Sequence, residues 1–106
     1  MNFVPLSAEG ETPQISATDT QLRIVLSDGS QKEFAFPTLR IWGMTCGTKP
    51  GESFEKGDIT IELVASGMGV ATEVVCKAGD FHTFRMPTRL FLDALWNVLI
   101  QKERQN

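Results

Sequence analysis

Three side chains in this sequence have the chemistry of soft metal ligands or nucleophiles: Cys46, Cys76 and His82. Two cysteines and one histidine do not fill a tetrahedral structural zinc site, so no metal is expected. Cys46 lies in "GMTCGTKPGESFEKGD", residues 43–58, whose four glycines and one proline read as a long loop. A reactive thiol needs a cation beside it, and Lys49 is the neighbour available. Cys76 ends the apolar run "VATEVVC" and reads as a buried core thiol. A Cys–His nucleophilic pair needs the two groups in hydrogen-bond reach, and nothing in the spacing of His82 supports one. His82 reads as a surface or strand-edge residue.

Two glycine motifs fail on spacing. A phosphate loop needs Gly, four residues, Gly-Lys and then Ser or Thr. Here three residues separate Gly43 from Gly47, Thr48 precedes Lys49, and Pro50 follows. "GMGVA" (67–71) follows an apolar run, but a dinucleotide fingerprint must open a helix, and "VATEVVC" reads as a strand. Neither motif carries a cofactor, and no enzymatic activity is expected.

The elements that hold these residues follow from pattern. A chain of 106 residues has the length of one domain. Net charge is −3 and the pI near 5.0, with basic residues scattered, which opposes phosphate-driven nucleic-acid binding. No apolar run reaches the ~20 residues of a membrane span. The N-terminus lacks the basic and apolar regions of a signal peptide. With two cysteines and no disulfide framework, the expected setting is a reduced cytoplasm.

Residues 1–20 are rich in Pro, Ser, Thr, Glu and Gly and read as a loose arm with "FVPL" as its apolar part. Residues 21–106 read as a single α+β domain built on an antiparallel sheet. "QLRIVLS", Asp28-Gly29 and "SQKEFAF" form a hairpin, with a type I′ turn at Asp-Gly. "TLRIW" reads as one helical turn. "ITIELVAS", "VATEVVC" and "DFHTFRM" are strands. Pro87 opens a C-terminal helix, which ends near Lys102 and Arg104 as the helix dipole favours.

A shift of 50 residues brings the two halves into register, about 23–42 onto 73–92. Val25 falls on Val75, Cys76 on Leu26, Gly79 on Gly29, Phe84 on Phe34, and Pro87-Thr88 on Pro37-Thr38. Two similar hairpin units would share one core, Phe34 and Phe84 occupying matched places.

"LRIVLSDGSQKEFAFPTLRIW" resembles the gamma-butyrobetaine hydroxylase-like N-terminal domain family through Asp28, Gly29, Phe34, Leu39 and Arg40. Ala71, Gly79 and Leu90 fit the second half of that family's pattern, and the similarity spans about residues 21–95. The chain departs from it at Gly79-Asp80-Phe81, where the family has Gly-His-Asp, and at Phe84-Arg85, where it has Ile-Tyr. Members that bind zinc do so at positions held here by Gly43, Thr45, Thr48 and Asp80, so no zinc site carries over. The resemblance implies a small noncatalytic domain, free-standing or attached to iron-dependent oxygenases or iron–sulfur carrier ATPases.

Three functions follow. The first is a protein-interaction or accessory domain. The second is a single-stranded nucleic-acid module stacking bases on Phe34, Phe36, Phe81 and Phe84. The third is a small thiol enzyme using Cys46. The first gains support from the C-terminal helix, three of whose four i, i+4 rows are apolar. A helix on one sheet needs an apolar stripe of little over about 100°. Leu92, Trp96 and Ile100 form the surplus face, open to a protein partner or self-association unless Phe3, Val4 and Leu6 fold back over it.

Overall fold

A computed structural model describes residues 1–65 and 72–104. Ala71 and the Gly67-Met68-Gly69 motif lie outside the described residues.

The chain runs β1 (Val4–Pro5), β2 (Gln14–Ala17), β3 (Gln21–Val25), β4 (Gln31–Ala35), α1 (Thr38–Gly47), then β5 (Ser53–Lys56), β6 (Ile59–Ala65), β7 (Thr72–Ala78), β8 (His82–Pro87) and α2 (Thr88–Arg104). The strands form two antiparallel four-stranded sheets in sequential order, β1-β2-β3-β4 and β5-β6-β7-β8. The α+β antiparallel class is as the sequence predicts, with two sheets where one was expected and a full first helix. Each half follows the same plan of four strands and a helix.

Alternation explains how the sheets pack. Leu22 and Ile24 of β3, and Val74, Cys76 and Ala78 of β7, point inward at every second residue and are buried. They join Phe34, Phe36, Ile59, Ile61, Phe84, Phe91 and Leu95 in one apolar cluster drawn from both sheets and both helices.

The β3–β4 turn corrects the type I′ expectation. Gly29 has φ +89°, but no non-glycine residue among those described has positive φ, so Asp28 is not left-handed. The Gly29 N–H donates to the Leu26 carbonyl at 3.0 Å and the Leu26 N–H to the Ser30 carbonyl at 2.8 Å. This is a three-residue loop with glycine in the left-handed bulge position. The Asp28 carboxylate accepts from the Ser30 N–H at 2.8 Å, a bond that holds its carboxyl below the usual range.

Residues 1–20 are not a loose arm. β1 pairs with β2 and β2 with β3, and Leu6, Ile15 and Ala17 are buried. Phe3 lies under the Arg23 guanidinium, 3.7 Å from ring centroid to Cζ. The arm's few apolar residues are spaced to fill one sheet face, which outweighs its turn-rich composition.

Residues 43–58 are not a long loop. α1 continues to Gly47, and β5 with the Gly57-Asp58 turn makes a hairpin with β6. Gly57 has φ +63°, as a two-residue turn with glycine first requires. α1 holds despite Gly43 and Gly47 because Ile41 and Thr45 are buried on its inner face.

The gapless register of 50 holds only from the return strands onward. Phe84 lies opposite Cys76, 8 positions away, whereas Phe34 lies opposite Leu22, 12 positions away. The second hairpin is therefore shorter, and Cys76 occupies the place of Leu22 rather than Leu26. The helix entries keep the correspondence. Thr38 Oγ1 donates to the Thr18 carbonyl at 2.5 Å, and Thr72 Oγ1 donates to Thr88 Oγ1 at 2.7 Å. The second pair sits 54 and 50 positions beyond the first, the same offsets as the outgoing and return strands.

Candidate interaction face

α1 and α2 pack against each other, and their buried rows define what is left outside. α1 spends Thr38, Ile41 and Thr45 on the core, and α2 spends Phe91, Leu95 and Val98. Leu39 and Trp96 lie off those rows and are 62% and 48% exposed. Trp42 is half-buried, and its ring meets that of Trp96 with centroids 5.3 Å apart and planes tilted by 37°. Trp96 thus has an aromatic contact at the helix seam and open solvent beside it.

An open groove of about 560 Å³ runs beside this pair. Pro37, Leu39, Trp96, Leu99 and Ile100 supply its apolar lining. Its rim carries Asp19, Arg40, Lys102 and Glu103. Lys102 Nζ lies 2.7 Å from Asp19 Oδ2, fastening the last turn of α2 to the β2–β3 turn. That bond holds the Asp19 carboxyl below the usual range. Arg40 and Glu103 have no ion-pair partner among the described residues.

Of the three residues expected on the surplus face, Trp96 and Ile100 line the groove. Leu92 is half-buried and does not line it. Leu39 and Trp42 are hidden in the sequence because "TLRIW" by itself carries the signal of a single turn. Their signal was the spacing of Thr38, Ile41, Trp42 and Thr45, which is helical. The N-terminal segment does not cover Trp96. Leu6 and Ile15 instead line a second cleft with Leu90, Ala94 and Asn97, a different row of α2.

The other candidates are dispersed. Phe34, Phe36 and Phe84 are buried, and Phe81 is half-buried against Phe34. Cys46 is exposed in the last turn of α1 rather than in a loop. Cys76 is fully buried, and loss of solvation pushes its thiol up to about 12. His82 begins β8, half-buried. Thr45 and Thr48 turn their hydroxyls back onto the helix, donating to the Ile41 and Met44 carbonyls, each at 2.7 Å. Among the described residues no three His, Cys, Asp or Glu side chains converge as a metal site. None of the helices among them is long and apolar enough to cross a membrane.

No family model, no curated protein and no solved structure matches this chain.

Proposed function

We propose that this chain is a noncatalytic protein-interaction domain that associates with a second copy of itself through the α1–α2 seam. The observation that carries this reading is the exposed Trp96, set against Trp42 and beside the exposed Leu39 in an apolar groove. Exposed apolar patches rimmed by charge mark interaction sites, and Trp is over-represented among interface hot spots. The unpaired rim charges are of opposite sign. Opposite charges on one rim allow a two-fold arrangement to pair Arg40 of one copy with Glu103 of the other. The resemblance to the gamma-butyrobetaine hydroxylase-like N-terminal family supports a domain without chemistry of its own. The exposed free Cys46 suits a reducing cytoplasm.

Both tryptophans of the chain sit at this seam and there is no tyrosine, so intrinsic fluorescence reports on it directly. Dilution from high micromolar to nanomolar protein is expected to shift the emission to the red as Trp96 becomes wet. Emission that stays fixed in a chain sedimenting as a monomer throughout contradicts the proposal.

A further inference from the structure

The second cleft has a feature the first lacks: it runs along an unpaired strand. Among the described residues β8 is the last strand of its sheet and pairs with β7 alone. Five of the six residues of β8, His82 and Phe84 through Pro87, line a cleft of about 770 Å³. Side chains alternate across a strand, so neighbours such as Phe84 and Arg85 both line one cleft only where it follows the strand's edge. Among the described residues, no backbone hydrogen bond joins β8 to a segment outside its own sheet. Alternate residues of an edge strand direct their N–H and C=O groups outward.

The core opens at this place. Leu6, Ile15 and Phe84, at 7%, 6% and 9%, are the three core side chains with the most residual exposure, and all three line the cleft. Leu90, 55% exposed, continues the apolar floor. The opposite wall is the β1–β2 connection, through Ser7, Ala8, Thr12 and Pro13.

The rim is acidic. Glu11 and Asp93 line it, and Arg85, its one strong cation, is already engaged by Glu73 at 3.2 Å.

We propose that this cleft binds an extended, basic peptide segment of a partner protein, which adds to the β5-β6-β7-β8 sheet as a fifth strand along β8. The unpaired edge supplies main-chain hydrogen bonds. The floor of Leu6, Ile15, Phe84 and Leu90 takes every second side chain. Glu11 and Asp93 take the basic ones. A second copy of this chain on the same edge is the competing outcome of the test below.

The probe is a fluorescein-labelled peptide of alternating valine and threonine flanked by lysines, titrated onto the full chain by anisotropy. Amide shifts are recorded in parallel. Saturable binding with the largest shifts at Thr83 and Arg85 is expected. A peptide with proline in place of the valines, which cannot pair, should not bind. Asp93→Lys and Leu90→Ser change exposed side chains and should each weaken binding about tenfold or more, with the circular dichroism spectrum unchanged. Trp96→Ser should leave it intact, since the helix seam lies elsewhere. Binding that tolerates both cleft variants, shifts confined to α1 and α2, equal binding of the proline peptide, or no binding at all would overturn the proposal. So would light scattering that shows β8 occupied by a second copy, through dimers lost on Arg85→Pro but kept in Trp96→Ser.

Discussion

Trp42 of α1 and Trp96 of α2 meet at 5.3 Å between ring centroids, and Trp96 remains 48% exposed. Contact on one side and solvent on the other separates this tryptophan from a core residue. A fully buried Trp or Phe truncated to alanine costs about 3–5 kcal/mol, and an aromatic pair contributes about 0.5–1.5 kcal/mol beyond its area. Trp96→Ser is therefore expected to cost the monomer about 1–2 kcal/mol in urea unfolding. A loss at the full core value would make the residue structural and weaken the case for an interface.

Phe34 and Phe84 occupy the middle of the return strands β4 and β8, and both are buried. Phe34→Ala and Phe84→Ala should each cost about 3–5 kcal/mol by chemical denaturation. Their sites sit in one continuous cluster, so each variant should lower a single cooperative transition. Two separate transitions, or a cost near zero at either site, would contradict the shared core.

Removal of residues 1–15 deletes β1 and half of β2, with the buried Leu6 and Ile15. The truncated chain is expected to lose its cooperative urea transition and to aggregate, because the inner face of β3 and the cleft beneath β8 become exposed. A truncated chain that unfolds at the same midpoint would show that the strands contribute nothing to stability.

The two thiols differ in access. Cys46 is exposed and Cys76 is buried, with its thiol raised from 9.0 to about 12 by desolvation. Iodoacetamide should label Cys46 in the native protein and Cys76 only in denaturant. The sign of the pH dependence follows from the raised folded value. The neutral Cys76 thiol contributes its stability in full below the unfolded value of 9.0, and loses it as pH rises toward about 12. Wild type should therefore lose more stability than Cys76→Ala across that window. Parallel curves, or native labelling of Cys76, would contradict the burial.

Much of this fold was legible in local chemistry. Pro37-Thr38 and Pro87-Thr88 mark both strand-to-helix passages, and Asp28-Gly29 marks a hairpin whose turn type needed the backbone to settle. The N-terminal strands were not legible because "QISA" is short and becomes a strand only by pairing with "QLRIV". The full length of α1 is not legible because Gly43, Thr45 and Gly47 are poor helix formers, and burial of Ile41 and Thr45 decides the matter. Gly57-Asp58 is a readable hairpin signal inside a stretch whose glycine content points to a loop. At the candidate face, Trp96 and Ile100 stood out by helical rows alone. Leu39 and Trp42 did not, because a residue on one helix cannot announce its neighbour on another.

The central claim is that the α1–α2 seam joins two copies of the chain. Light scattering behind a sizing column, at high micromolar loading, measures this directly. The full chain is expected at twice the 11.7 kDa of one chain, and Trp96→Ser and Leu39→Ser each at the mass of one chain with an unchanged circular dichroism spectrum. A full chain that elutes as a monomer at every loading, or a dimer that both substitutions leave intact, would contradict the account.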